Sequence, residues 1–386
     1  MNIHSAFIEG LLAVGAILSL LYELIAIFSA WRYFRRRFPH SQNFTPPVSI
    51  LKPVRGVDRE AYENFASFCK LDYPEYEILF GVGDPDDPAI PIIQKLIEDF
   101  PERSVRLFVG SPCHGWNNKV RKLCHLSRQA RYPILVISDS DIRVRPDYLR
   151  AVVAPFQDPR VGAVTCMYHV KPEPRLGSEI EAVGIASEFF PGLIVAWLLD
   201  GVKFTVGATM AVTSGRLEEI GGFESIADFF SDDLELGRRV SANGYRVEMI
   251  PYTVWTVPGS EGPLNFVLHQ LRWAVGLRHS RPWGHLGRLL AQPLPWVVAA
   301  TLWIHTWDAA AGFLGAYLAL RLIVAWMVGV WGLKDPLLKR KLYLVPVWDA
   351  VSFFVWAASF FKNRIEWRGS EFYVRKGRLV PVATRQ

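Results

Sequence analysis

Asp139 and Asp141 stand one residue apart in the stretch LVISDSDIRVRPDYL, directly after an aliphatic run that reads as a buried strand. Two carboxylates at such a turn can approach one divalent cation, directly or through water, and hard oxygen ligands suit magnesium or manganese, ions that also bind phosphates. D-x-D alone is a weak signal, because Asp and Ser are common in any turn. Three companions give it weight. Asp84, in LFGVGDPDDP, stands at another strand end, where a carboxylate can accept a hydrogen bond from a nucleobase N–H or a ribose hydroxyl; Asp86 and Asp87 beside it fit an ordinary Asp- and Pro-rich turn. Asp232 and Asp233, in DFFSDDLELGRRVSANGYRV, precede a helix whose N-cap needs one acid or Ser231, so Asp232 reads as the cap and Asp233 is left for chemistry. Arg272 and Trp273, in HQLRW, pair a group that can neutralise a diphosphate with a ring that can stack on a sugar, although an Arg and Trp at a membrane interface would look the same. Lys119, in GWNNKV, is either a further phosphate contact or a solvated surface lysine.

These groups need a scaffold that brings them to one edge. PPVSILKPV, YEILFGVGD, SVRLFVG and YPILVISDSD read as strands, with helices such as PAIPIIQKLIEDFP and NNKVRKLCHLSRQA between them. Such alternation predicts an α/β domain with a mostly parallel sheet, in which ligands bind beyond the carboxyl ends of the strands. Asp84 and Asp139 both occupy that position.

With 51% hydrophobic residues and a mean hydropathy of +0.16, the chain is more apolar than an ordinary soluble enzyme, so part of it is expected in lipid. Phe7 to Trp31 is long enough to span a bilayer, and RYFRRRF follows at once, which predicts an anchor with Arg32, Arg35, Arg36 and Arg37 on the cytoplasmic side. A cleaved leader would carry its charge ahead of the apolar run. Glu9 fits the outer interface, and Glu23 is expected to face a neighbouring helix. LNFVLHQLRWAVGLRHS predicts a helix along the membrane surface; the apolar stretch after it could supply two crossings, and LYLVPVWDAVSFFVWAASFF a third. Three crossings would put the basic tail outside, against the positive-inside tendency, which leaves room for one re-entrant segment. The net charge of +6 clusters near these expected membrane surfaces and suits anionic lipid headgroups rather than nucleic acid. Cys69, Cys113, Cys124 and Cys166 show no CxxC spacing and no pairing with histidine, and fit reduced thiols in a cytoplasmic domain.

Asp84, the DSD of Asp139 to Asp141, the SDD ending at Asp233, and Arg272 with Trp273 resemble the D, D, D, (Q/R)xxRW series of ceramide glucosyltransferases and related bacterial membrane glycosyltransferases. SILKPVRG, LDYPEYEILFGVGDPDDPAI, NNKV, DSDIRVRPD and GATMAVTSGRLEEIGGF follow in that family's order, over roughly Val48 to Trp273, with a looser match at WRG in the tail. The position of the leading Gln or Arg is His269 here. The resemblance implies a GT-A type domain that uses a UDP-sugar with a magnesium or manganese ion and inverts the anomeric carbon. It implies Asp84 on the uridine, Asp139 and Asp141 facing the ribose and the metal, Asp233 as base, and Arg272 with Trp273 in the catalytic group; Lys52 and Lys119 are expected in the donor-binding set. The acceptor would be a membrane lipid hydroxyl, ceramide first, with a hopanoid or diacylglycerol lipid or a growing polysaccharide as alternatives. A membrane-anchored nucleotide-binding scaffold is the reading without catalysis.

The expected organisation is an anchor at residues 1–38, the cytoplasmic GT-A domain at 46–262, an interfacial helix at 263–288, C-terminal crossings at 289–361 and a basic tail at 362–386, in a bacterial inner membrane. Phe189 to Phe204 is expected to be either a lip for the lipid or a buried core helix.

Overall fold

The computed structural model describes residues 3–38, 43–258, 263–303, 306–367 and 370–382. In chain order these form α1 (Ile3–Phe34), β1 (Val48–Val54), α2 (Ala61–Cys69), β2 (Tyr76–Val82), α3 (Ala89–Asp99), β3 (Ser104–Val109), α4 (Asn118–Gln129), β4 (Ile134–Ile137), β5 (Ile142–Arg143) and α5 (Tyr148–Val153). There follow β6 (Val161–Val170), α6 (Leu176–Gly184), α7 (Phe190–Asp200), β7 (Met210–Thr213), α8 (Ser214–Glu219), α9 (Asp232–Ala242) and β8 (Arg246–Thr256). The remainder is α10 (Pro263–Ser280), α11 (Pro282–Gly287), α12 (Pro293–Trp303), α13 (Trp307–Ala325), α14 (Pro336–Lys341), α15 (Val345–Ser359), β9 (Arg364–Trp367), β10 (Ser370–Arg375) and β11 (Arg378–Pro381). Two compact units result.

The first unit comprises residues 37–172, 200–260 and 377–386. Its main sheet has eight strands in the order β3-β2-β1-β4-β7-β6-β8-β5. β1, β2, β3 and β4 pair in parallel, as do β6 and β8, while β7 runs antiparallel to both β4 and β6. Every residue of β1, β2 and β4 is buried, as expected for strands covered by helices on both faces, and this is why they read as unbroken apolar runs. α3 turns Ala89, Ile93 and Leu96 inward, and α4 starts where Asn117 accepts hydrogen bonds from Lys119 N and Val120 N. Asp87 is buried and structural, as its turn composition suggested: its carboxylate receives Gly56 N at 2.9 Å and Ala89 N at 2.9 Å.

The second unit comprises residues 1–36, 173–199 and 261–376. Among the described residues four helical segments are long and apolar enough to cross a membrane, Phe7–Phe34, Leu176–Asp200, Trp307–Gly332 and Pro336–Ser359. Leu176–Asp200 departs from the expected organisation, which kept this stretch inside the soluble domain. Its acids explain the difference. Glu179, Glu181 and Glu188 interrupt the apolar run, but Lys341 Nζ lies 2.5 Å from Glu179, Gln270 donates to Glu181 at 2.7 Å and Arg288 donates to Glu188 at 2.7 Å. Partners far along the chain thus remove the penalty that each acid carries in isolation. The expected neighbour of Glu23 is Arg321, whose Nη1 is 3.6 Å from it while Nη2 donates to Asp349 at 2.6 Å. Close packing needs Gly15, since a Cβ there would lie 2.1 Å from the Trp296 ring of α12.

The basic tail is structured too: β9 and β10 pair antiparallel, and, in the sheet unit, Leu379 N of β11 donates to Asp228 O at 2.7 Å. Of the looser WRG match, Arg368 and Gly369 lie outside the described residues.

Candidate active site

The D-x-D turn is held from three sides. On β1, Lys52 reaches under it and donates from Nζ to the Asp139 carbonyl at 2.9 Å, with the ammonium 3.8 Å from the Phe68 ring centre. From the end of β8, Thr256 Oγ1 donates to Asp141 Oδ2, and Val257 N donates to the Asp141 carbonyl at 2.8 Å. Between the aspartates, Ser140 Oγ donates to Asp58 at 2.6 Å.

Lys119 connects this turn to the second acid pair. Its ammonium is 2.8 Å from Asp139 Oδ1 and 3.0 Å from Asp232 Oδ2. Asp233 Oδ2 accepts from Gly207 N at 3.2 Å and Oδ1 from Leu234 N at 2.7 Å. Gly207 lies at the centre: a Cβ there would be 3.3 Å from Asp139 Oδ2, 3.5 Å from Asp233 Oδ2 and 3.6 Å from Lys119 Nζ. The fold therefore gathers Asp139, Lys119, Asp232 and Asp233 around a glycine that leaves the space between them open.

Burial, reinforced by Asp139, raises the Asp141 carboxyl to about 6. Burial and the neighbouring Asp232 likewise raise Asp233 to about 6, against the pull of Lys119. Burial lowers Lys52 to about 7 despite Asp141 and Asp139. Lys119 behaves in the opposite way: burial opposes its charge, but Asp139 and Asp232 overcome it and shift the ammonium upward. Among the described residues, the carboxylates of Asp139, Asp141, Asp232 and Asp233 outnumber the ammonium groups of Lys52 and Lys119 that face them, so negative charge is in surplus. Hard oxygen donors in that surplus suit a magnesium or manganese ion, which Asp139 and Asp141 could hold.

Two expectations need correction. Lys52 is fully buried and bonds to the Asp139 backbone, so it supports the turn from beneath instead of touching a donor. Asp232 is not the helix cap: Ser231 takes that position, with no side-chain capping bond, and the Asp232 carboxylate faces Lys119. Asp84 is exposed beyond β2, where its Oδ1 accepts from Asp86 N at 3.0 Å. β1 separates β2 from β4, so two strand spacings, about 10 Å in all, divide the two carboxyl ends. Gly207 and Thr256 were not singled out. Gly207 opens the GATM phrase, and that was its signal; Thr256 had none.

Arg272 and Trp273 belong to α10 in the helical unit. His269 Nδ1 is 3.0 Å from Glu181 Oε1, and Gln270 Nε2 donates to the same oxygen at 2.7 Å. The His269 ring meets Trp273 edge-on at 4.9 Å, and Phe189 lies 6.4 Å from Trp273. Glu181, which sequence reading passed over, thus fixes the first two residues of HQLRW. Phe189 to Phe204 is mainly the apolar helix α7.

A solved mannosyltransferase from Pyrobaculum calidifontis, in complex with GDP-Man and Mn2+, aligns with 92% of this chain and 98% of its own at a TM-score of 0.58 and 19% identity. The fold is that of the GT-A glycosyltransferases, with apolar helices added. More narrowly, the model of glycosyl transferase family 21 matches residues 11–380, and the chain belongs to this family of sugar-transferring enzymes. Ceramide glucosyltransferase 1 of Caenorhabditis elegans is 25% identical over 376 residues, which cover 94% of this chain and 78% of that protein. Ceramide glucosyltransferase 3 of the same organism is 26% identical over 264 residues, 67% of this chain and 57% of the relative, so the chain matches little more than half of that relative's length.

Proposed function

We propose that the protein transfers one sugar from a UDP-sugar, with inversion at the anomeric carbon, to the hydroxyl of a membrane lipid, ceramide first. The observation that carries this reading is the Asp233 carboxylate, fixed by two backbone amides across the open space at Gly207 from Asp139 and Lys119. The similarity to ceramide glucosyltransferases supports the lipid acceptor.

A lipid hydroxyl is a weak nucleophile. Asp233 takes its proton as the oxygen bonds to the anomeric carbon and the bond from that carbon to the UDP phosphate breaks; the electron pair leaves with UDP, and the proton stays on the carboxyl. A group raised to about 6 is deprotonated at neutral pH yet a better base than an ordinary carboxylate. Lys119 has three N–H donors and forms ion pairs with Asp139 and Asp232, so a donor remains to meet a phosphate oxygen. Thr256 and Lys52 hold Asp141 and the Asp139 backbone in place. A divalent cation on Asp139 and Asp141 would supply charge stabilisation to the departing diphosphate.

Each CH₂ group withdrawn from the bilayer costs about 0.8 kcal/mol, so a two-chain acceptor must react at the membrane surface. The four apolar segments supply attachment there. We place the sheet unit on the cytoplasmic face of a bacterial inner membrane, with Arg32, Arg35, Arg36 and Arg37 on the same side.

The test incubates purified protein with a panel of UDP-sugars and a total lipid extract, followed by mass analysis. A new glycolipid carrying one sugar is expected, lost in excess chelator and restored by magnesium or manganese. A polymer, or no transfer from any UDP-sugar, would overturn the reading, and a hopanoid or diacylglycerol product would replace ceramide. Full turnover in chelator would remove the metal.

A further inference from the structure

One thiol from α4, a second from the loop before it and a carboxylate from the segment Phe223–Ile226 converge. The Sγ atoms of Cys113 and Cys124 and a carboxylate oxygen of Glu224 all lie within 4.8 Å of one another. Both cysteines are buried while Glu224 is exposed, so the cluster opens to solvent on one side. We propose that Cys113, Cys124 and Glu224 form a binding site for a thiophilic divalent cation of the zinc class, separate from the donor site and independent of the proposed transfer reaction.

The ligand chemistry separates the two sites. Thiolate sulfur favours zinc or cadmium, whereas Asp139 and Asp141 offer only the oxygen that suits magnesium and manganese. A tetrahedral zinc with sulfur bonds of ~2.3 Å holds its ligand atoms about 3.5 to 4 Å apart, so the cluster needs only a small contraction. Water from the open side completes the fourth position. The spacing could not disclose this site, because Cys113 and Cys124 are eleven residues apart with no CxxC, and Glu224 follows a hundred residues later.

The surroundings hold the three residues ready. Arg121 Nε donates to the Cys113 carbonyl at 2.8 Å, while Ser111 Oγ donates to the Arg121 carbonyl at 2.7 Å. Arg128 donates to Glu224 Oε1 at 2.6 Å and fixes that carboxylate. Asn117 ties the cysteine loop to the Glu224 segment, donating from N to Ala227 O at 2.8 Å and from Nδ2 to Phe229 O at 2.8 Å. Gly115 makes the approach close, since its φ is +134° and a Cβ would lie 2.5 Å from Ala227 Cβ. A cation here would join the helix that carries Lys119 to the segment leading into Asp232 and Asp233. Its consequence is rigidity of the donor site, without contact to substrate.

The test uses the full chain in detergent, stripped with chelator and titrated with cadmium and then zinc under excess magnesium, which occupies the oxygen site. Thiolate bonds to cadmium produce an ultraviolet charge-transfer band that carboxylates cannot give. One equivalent per chain is expected, with at least ~10-fold weaker binding in Glu224→Gln and loss of the band in Cys124→Ala, while Cys69→Ala with Cys166→Ala leaves it intact. Zinc should also raise the melting temperature of the parent chain more than that of Glu224→Gln, a surface change whose folding the melt itself reports. No band in the parent chain, the same band in Cys124→Ala, or equal cadmium affinity in Glu224→Gln would each overturn the site.

Discussion

Asp232 and Asp233 are neighbours in the chain but face different partners, and this difference gives the two positions separate predictions. Asp233→Asn keeps the shape and a hydrogen-bonding group but cannot take a proton, so transfer should fall roughly 10²- to 10⁴-fold with little change in UDP affinity. Asp232→Asn removes one of the two carboxylates on Lys119, so the loss should fall mainly on donor binding. Single-turnover rates and UDP affinities for both variants separate these outcomes; an active Asp233→Asn beside a dead Asp232→Asn would exchange the assignments. The pH profile follows from the same geometry. Only ionised Asp233 can act as base, so kcat/KM should fall as pH drops through about 6, well above an ordinary carboxylate. Because Asp232 is a cause of that upward shift, Asp232→Asn should move the limb to lower pH. For stability, the sign reverses. A carboxyl raised in the fold contributes stability that is complete below its unfolded value near ~4 and is lost as pH rises through the folded value. Asp233→Asn should therefore melt higher than the parent at pH 8 in chelator, and an unchanged or lower melting temperature would contradict the buried charge.

Element ends position most of the chemistry, with Lys52 reaching it from within β1. β1 supplies Lys52, β4 the D-x-D turn, β8 Thr256, the start of α4 Lys119 and the start of α9 the paired acids, all in one unit. The approach to β7 contributes an absence of atoms: Gly207→Ala would put a methyl 3.3 Å from Asp139 Oδ2. This variant should fold, because no φ between +20° and +160° is required there, but should weaken UDP binding; unchanged UDP affinity in calorimetry would show that the open space is not used. In the helical unit, α13 carries Arg321, which bonds both Asp349 oxygens at 2.9 and 2.6 Å and the Ser187 carbonyl at 3.0 Å. Tyr317 adds a donor to Asp349 at 2.8 Å. Arg321→Ala leaves buried carboxylates uncompensated and should cost about 3–5 kcal/mol, read as a fall in the unfolding midpoint in detergent. A change below 1 kcal/mol would mean that water replaces the guanidinium.

At the scale of the whole molecule, segments apolar enough to cross a membrane are distributed along the chain. Deleting Met1 to Arg37 should leave the protein in the membrane, since Leu176–Asp200, Trp307–Gly332 and Pro336–Ser359 remain, and Arg321 keeps Asp349 after Glu23 is gone. Recovery of folded, truncated protein in a detergent-free soluble fraction would refute those segments as spans.

By itself the sequence determined the strands and helices from residue 48 to residue 137, the N-terminal apolar helix, and the place of Asp139 and Asp141 just after a strand and of Asp233 at the start of a helix. These are local properties: apolar runs of strand length, helical periodicity, and carboxylates placed where a strand must end. Only the tertiary structure decided what depends on distant pairing. Lys119 needed both Asp139 and Asp232 to become part of the site, and Lys52 proved to be a support because Phe68 and the Asp139 carbonyl cover it. Leu176–Asp200, which the expected organisation kept inside the soluble domain, has its glutamates met by Lys341, Gln270 and Arg288 only in the fold. A charge's cost is set by what lies within a few ångströms, and across eighty or more residues of chain only the fold supplies that neighbour.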